Sequence, residues 1–302
     1  MRKIVAMAAL AAALQACSEG QKGDTAATAD STAAGEGTTA AAATTSPTPS
    51  LQKAWETDTV LTTVESTLFD PAAGVIYASN IEGHHSQKDK KGSITKMKPD
   101  GSVTQLKWVT GLNAPKGMAL LNGKLFVTDI DELVEINVAG GKIAKRYPVA
   151  GAKFLNDAAT DGLNVYFSDS ETGKVHRLAE GKVSTFAEGF AGINGLGFDD
   201  KDQLFILDGK GLRKYNPADK TSQFVNEVVT GGDGLVIIDD STYIASRWQG
   251  EIYLVINGKE HLLLDTKADS SNTADIDYIP AEKLVLVPTF LKNKVVAYKL
   301  NY

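Results

Sequence analysis

Residues 194–208, NGLGFDDKDQLFILD, decide the fold because the same pattern returns through most of the chain. A short apolar run leads into a turn rich in Asp and Gly, and a second run rich in branched and aromatic residues follows. The pattern reappears as ESTLFDPAAGVIYAS from Glu65, KGMALLNGKLFVTD from Lys116, NDAATDGLNVYFSD from Asn156, DGLVIIDDSTYIAS from Asp233 and DIDYIPAEKLVLVP from Asp275. Two shorter alternating runs follow, as ITKMK and VTQLKW do in the copy that begins at Glu65. Six copies spaced by roughly forty residues, each with four strand-like runs, predict an all-β fold, a six-bladed β-propeller with four-stranded blades. The copy at Asp275 has only three runs, so a strand from residues before Glu65, about Trp55 to Thr62, is expected to complete that blade and close the ring.

In a propeller the first strand of each blade lines the central channel, so residues at one register of the repeat meet around the axis. Glu65, Asn156, Asn194 and Asp233 share such a register, with Lys116 and Asp275 at the same place in the other two copies. Two carboxylates and two amide carbonyls are hard oxygen donors whose combined charge balances a dication. That chemistry suits calcium, with magnesium or manganese as weaker candidates. Taken singly, an Asn-Gly or Asp-Gly pair reads as a turn; it is the shared register that argues for a site.

The N-terminus has a different character. Arg2 and Lys3 precede an apolar run from Ile4 to Leu14, too short to span a bilayer but suited to the core of an export signal. Leu14-Gln15-Ala16-Cys17 follows, and it resembles a bacterial lipobox. Cys17 is the single cysteine of the 302-residue chain, so no internal disulfide can form and acylation of Cys17 explains its placement. Residues 1–16 are therefore expected to be a lipoprotein signal peptide. Residues 17–50, nearly all Ala, Thr, Ser, Gly and Pro with scattered charges, form a lipid-anchored flexible linker, and residues 51–302 are the propeller. Ser18 after the cysteine points to the outer membrane, with the domain facing the periplasm. A formal net charge of −6 argues against nucleic acid as a partner, leaving a small-molecule substrate, a lipid anchor at Cys17 and a monomeric chain.

Val64-Glu65-Ser66, Leu155-Asn156-Asp157, Ile193-Asn194-Gly195-Leu196 and Gly232-Asp233-Gly234-Leu235 resemble motifs of the senescence-marker, gluconolactonase and luciferin-regenerating-enzyme family. The likeness covers residues 65–302 and extends more distantly to paraoxonases and phosphotriesterases. It implies that Glu65, Asn156, Asn194 and Asp233 ligate calcium at the channel mouth, where a hydrolytic member polarises a lactone or phosphoester oxygen and activates water. Asp233 then doubles as the base, while Asp157 orients the Asn156 loop or serves as a further carboxylate at the mouth, as Asp275 does. Two positions depart from the family. Phe154 stands where sugar-lactone hydrolases often place an Arg, and Pro115-Lys116-Gly117 replaces a Pro-His-Gly.

Lys116 either stabilises a developing oxyanion or is a solvated lysine offsetting nearby carboxylates. Connections between second and third strands are expected to wall the site. The longest, residues 81–92, carries His84 and His85; Arg247, Trp248 and Phe290 lie in the matching loops of the last two blades. No serine-hydrolase elbow, phosphate loop or zinc-protease motif is present. The sequence thus leaves two readings: a calcium-dependent hydrolase of a small lactone or ester in the cell envelope, or a non-catalytic, metal-stabilised propeller that binds a protein or glycan.

Overall fold

A computed structural model describes residues 48–302. The expected signal peptide, Cys17 and nearly all of the linker lie outside these residues. Strand β1 (Ser50–Glu56) comes first, followed by six inner-to-outer runs. The first blade holds β2 (Val64–Asp70), β3 (Val75–Asn80), β4 (Gly92–Met97) and β5 (Val103–Leu112). The second holds β6 (Pro115–Leu121), β7 (Lys124–Asp129), β8 (Glu132–Asn137) and β9 (Lys142–Pro148). The third holds β10 (Leu155–Thr160), β11 (Val165–Asp169), β12 (Lys174–Ala179) and β13 (Lys182–Glu188). The fourth holds β14 (Leu196–Phe198), β15 (Leu204–Asp208), β16 (Gly211–Asn216) and β17 (Thr221–Asn226). The fifth holds β18 (Leu235–Asp239), β19 (Thr242–Arg247), β20 (Glu251–Ile256) and β21 (Lys259–Asp265). The last holds β22 (Asp277–Ile279), β23 (Leu284–Pro288) and β24 (Val295–Asn301), with β1 outside β24. Each blade is a four-stranded antiparallel sheet, and together they are the six-bladed β-propeller that the repeat predicts. No helix among the described residues is long and apolar enough to cross a membrane.

Local chemistry sets the hairpins. Asn122-Gly123, Glu180-Gly181 and Asn257-Gly258 all have positive φ at both residues, as a two-residue turn matched to strand twist requires. Packing then joins the blades, because every apolar cluster of the ring draws on two neighbours. Ile76, Ala78 and Met97 of the first blade pack on Leu284, Leu286 and Ala297 of the last. Tyr77 and Ile94 pack on Leu125 and Val127 of the second. Similar seams join the second to the third, third to fourth, fourth to fifth and fifth to last blades. Six seams close the circle.

The outer strand of the last blade differs in place from the sequence expectation. Residues Ser50–Glu56 pair antiparallel with β24, from Ser50 opposite Asn301 to Glu56 opposite Val296. Of the expected stretch from Trp55 to Thr62, only Trp55 and Glu56 are in strand. Residues 57–63 instead cross to the first blade. Leu61 is buried in the seam, and its N–H donates to the Asn293 carbonyl at 3.2 Å. Leu51 and Trp55 are the half-buried residues of this edge strand, and Gln52 and Lys53 are exposed.

Candidate functional site

The channel-lining residues owe their direction to bulges at the starts of the inner strands. Pairing slips between Val64 and Ser66, between Pro115 and Met118, and between Leu155 and Ala158, placing Glu65, Lys116 and Asn156 at the irregularity. A bulge leaves one residue out of the ladder and turns its side chain away from the sheet, here into the channel. Hydroxyls of the second strands hold the geometry: Ser79, Ser168 and Ser246 Oγ accept from the N–H groups of Ser66, Asp157 and Gly234 at 3.1, 2.9 and 2.8 Å. These buried hydroxyls were missed in the sequence. Their signal is the small polar residue that ends YAS, YFS and IAS at the same register of three copies.

Gly195 and Gly234 are not turn residues. A Cβ on Gly195 would lie 2.5 Å from the Asp233 carbonyl oxygen, and one on Gly234 would lie 2.3 Å from the Ile276 nitrogen. Each blade's inner backbone therefore leans on the next, and the Asn-Gly and Asp-Gly pairs reflect that approach.

Glu65, Asn156, Asn194 and Asp233 converge on the floor of one cavity of about 460 Å³, with Lys116 beside them. Asn194 Nδ2 donates to Asp233 Oδ1 at 2.8 Å, and Asn156 Nδ2 donates to Ser170 Oγ at 3.1 Å, so each amide is held by its nitrogen end. Glu65 Oε2 and Asn194 Oδ1 are buried and have no hydrogen-bond partner among the described residues. Buried oxygens without donors are costly and call for a positive ligand. Charge gives the same answer: burial pushes Glu65 well above the usual carboxylate range, with Asp233 adding repulsion and Lys116 offsetting it. Burial also raises Asp233 to about 7. A divalent cation would let both ionise, so the donor set fits calcium or a similar hard ion.

Lys116 is not a solvated lysine. It is 2% exposed, its ammonium donates to the carbonyls of Ala114 at 3.1 Å and His85 at 3.3 Å, and it lies 4.4 Å from the Phe154 ring centre. Burial lowers its pKa, while Glu65 and Asp129 work to raise it. Asp129 and Asp169, at the ends of second strands, fix the loops that enter the site. Asp129 accepts from the N–H groups of Asn113 and Ala114, and Asp169 from those of Lys153 and Phe154, the last at 3.0 Å.

Asp157 and Asp275 do not line the cavity. Asp157 accepts from Ala158 and Leu196 N–H, both at 2.6 Å, and so ties the third blade to the fourth; burial takes it to about 7. Asp275 bridges in parallel to Ser66, whose hydroxyl donates to it at 2.5 Å. Its backbone therefore aligns with the residue after Glu65, and Ala274 occupies the register of Asp233: Ala274 N–H donates to Pro288 as Asp233 N–H donates to Ser246. The sequence alignment of that blade was one residue out. Burial and the neighbouring Asp157 and Glu65 raise Asp275 well above the usual range.

The cavity walls come from the loops. His85, Phe154, Trp248 and Phe290 line it, joined by Ile81 and Leu291. His84 and Arg247 do not: His84 stacks on His85 and meets Ser86, and Arg247 pairs with Glu251 at 3.0 Å.

The sequence matches no family model and no curated protein. Its structure is similar to that of a provisionally named gluconolactonase, at 18% identity and a TM-score of 0.61, over 84% of this chain and 92% of that one. It is also similar to a luciferin-regenerating enzyme, at 15% identity and 0.59 over 84% and 95%, and to virginiamycin B lyase from Staphylococcus aureus, at 13% and 0.58 over 84% and 100%. At these identities the likeness establishes the propeller fold.

Proposed function

We propose that this propeller is a divalent-cation-dependent hydrolase of a small lactone or ester, with calcium as the resident ion. The observation that carries the reading is the convergence of Glu65, Asn156, Asn194 and Asp233 at the floor of one cavity, with Glu65 Oε2 and Asn194 Oδ1 unpartnered. When bound, the cation supplies Lewis acidity to a carbonyl oxygen and to water. Asp233, a buried carboxylate lining the same cavity, is placed to take and return a proton. The Lys116 ammonium, fixed by two carbonyls, offers positive charge at the cavity floor for a developing oxyanion. Asp129 and Asp169 hold the entering loops so that these groups are placed before substrate arrives. The name gluconolactonase on a protein of similar structure supports lactone chemistry for this site.

A non-catalytic role is favoured by one different observation. Asp157 and Asp275 lie buried next to the donor set, with Asp277 half-buried further along the last blade's inner strand, and each accepts a hydrogen bond from a neighbouring blade's backbone or hydroxyl, so a cation here would also stiffen the ring. Hydrolysis of an ester and lactone panel by the calcium-loaded protein separates the two. The hydrolase reading expects turnover that is lost with chelator and in Glu65→Gln and Asp233→Asn; a folded, metal-loaded protein inactive across the panel would overturn it. For placement in the cell, the proposal is an outer-membrane lipoprotein anchored through Cys17.

A further inference from the structure

The cavity is divided by chemistry. Its floor is polar, formed by the four donors and Lys116, whereas its walls above that floor are Ile81, Phe154, Trp248, Phe290 and Leu291, with His85 as the polar exception. Phe154 and the edge of His85 meet at 5.9 Å between ring centres, on the side of the first and third blades. Trp248 and Phe290, from the fifth and last blades, meet edge to face at 5.5 Å and 77°. The walls are held in place. Phe154 is fixed through the Asp169 carboxylate, which accepts its N–H. Phe290 has φ of +49°, a left-handed conformation that bulky side chains avoid, imposed by a turn in which Asn293 N–H donates to its carbonyl. Behind them Ile81, Ala114 and Ile130 form a small apolar cluster on which Phe290 packs.

A polyol entering this space would lose water from its hydroxyls and find aromatic faces in return, leaving them unpaired. An aryl or alkyl group would instead exchange water for fitted apolar surface. Trp248 is 41% and Leu291 62% exposed, so the entrance itself presents apolar surface to an arriving ligand. We infer that the substrate is an ester or lactone carrying an aryl or medium-length alkyl group, seated between Phe154 and the Trp248–Phe290 pair, with its carbonyl toward the polar floor. A sugar lactone is excluded by the same walls. The inference rests on the hydrolase reading for the carbonyl, but the apolar preference belongs to walls that do not depend on the cation.

Two carboxylates with opposite tails test it: 4-phenylbutyrate and gluconate, titrated into calcium-loaded and metal-free protein and followed by calorimetry and tryptophan fluorescence. Phenylbutyrate is expected to bind at least about ten-fold more tightly in both forms. Trp248→Ala, and Trp248→Gln as a second variant of a half-exposed position, should each weaken phenylbutyrate about five-fold or more while leaving gluconate unchanged. Phe154→Leu should act in the same direction. Equal or tighter binding of gluconate, or unchanged phenylbutyrate affinity in both Trp248 variants, overturns the inference. Selective phenylbutyrate binding without turnover of any ester would remove the hydrolase reading and leave the apolar preference standing. Turnover together with tighter gluconate binding would do the reverse.

Discussion

Lowering the pH from 8 to 6 should weaken calcium binding by about ten-fold or more, because the cation and protons compete for the same oxygens. Asp233, raised to about 7 by burial, is mostly ionised at pH 8 and mostly protonated at pH 6. Displacing that one proton costs about a factor of ten in affinity over the interval. Glu65, held well above the ordinary range by burial and by Asp233, adds to the loss in the same direction. The direction follows from folded pKa values above the unfolded ones. Protonation of these carboxyls stabilises the metal-free fold fully below the unfolded carboxylate range, and that stability is lost as the pH rises through about 7. Metal-free protein should therefore melt lower at pH 8 than at pH 5.5, and calcium should raise the melting temperature more at pH 8. Calorimetry at three pH values in buffers of different ionisation enthalpy counts the protons released. Asp233→Asn should lower that count by about one and flatten the slope, while leaving the blades folded. Calcium affinity independent of pH, with no proton release, would refute the assignment of Glu65 and Asp233 as ligands.

Three other outcomes follow from the structure and a fourth from the sequence. Gly234→Ala, whose new Cβ would lie 2.3 Å from the Ile276 nitrogen, should destabilise the domain by more than about 3 kcal/mol in denaturant titrations, whereas the exposed Gly140, whose new Cβ would meet only Lys142 Cγ at 4.0 Å, tolerates far more. Asp169→Ala leaves the Lys153 and Phe154 N–H groups without their acceptor and should cost about 2–3 kcal/mol, with reduced binding of apolar ligands in the same variant. Deleting residues 50–56 bares the edge of β24 and should lower the melting temperature and promote self-association seen by light scattering; deleting residues 18–47 should do neither. Cys17→Ser should abolish incorporation of an alkyne-labelled fatty acid and release the protein from membranes.

The sequence alone determined the architecture and which four oxygen-bearing side chains meet at one cavity. A repeat near forty residues is written locally, in strand runs and Gly-containing turns, and Glu65, Asn156, Asn194 and Asp233 stood out because equal register in a ring means a common point in space. Finer placement was a tertiary decision. In sequence Asp275 aligns with Asp233, yet a one-residue shift decides which side chain enters the channel, and only the pairing of Asp275 with Ser66 shows that Ala274 has that place. Lys116 and Arg247 are both cations at the ends of strands. One is buried beneath Phe154 and the other swings out to Glu251, a difference set by neighbours that lie far away in sequence or on the next strand. The outer strand of the last blade was expected several residues too late because its partner, β24, is more than two hundred residues away and no local pattern fixes the pairing. Asn194-Gly195 and Asp233-Gly234 read as turns because a dipeptide carries no record of the blade pressed against it. What the chain spells out is its period; which atoms face the channel depends on contacts between blades that no local stretch contains.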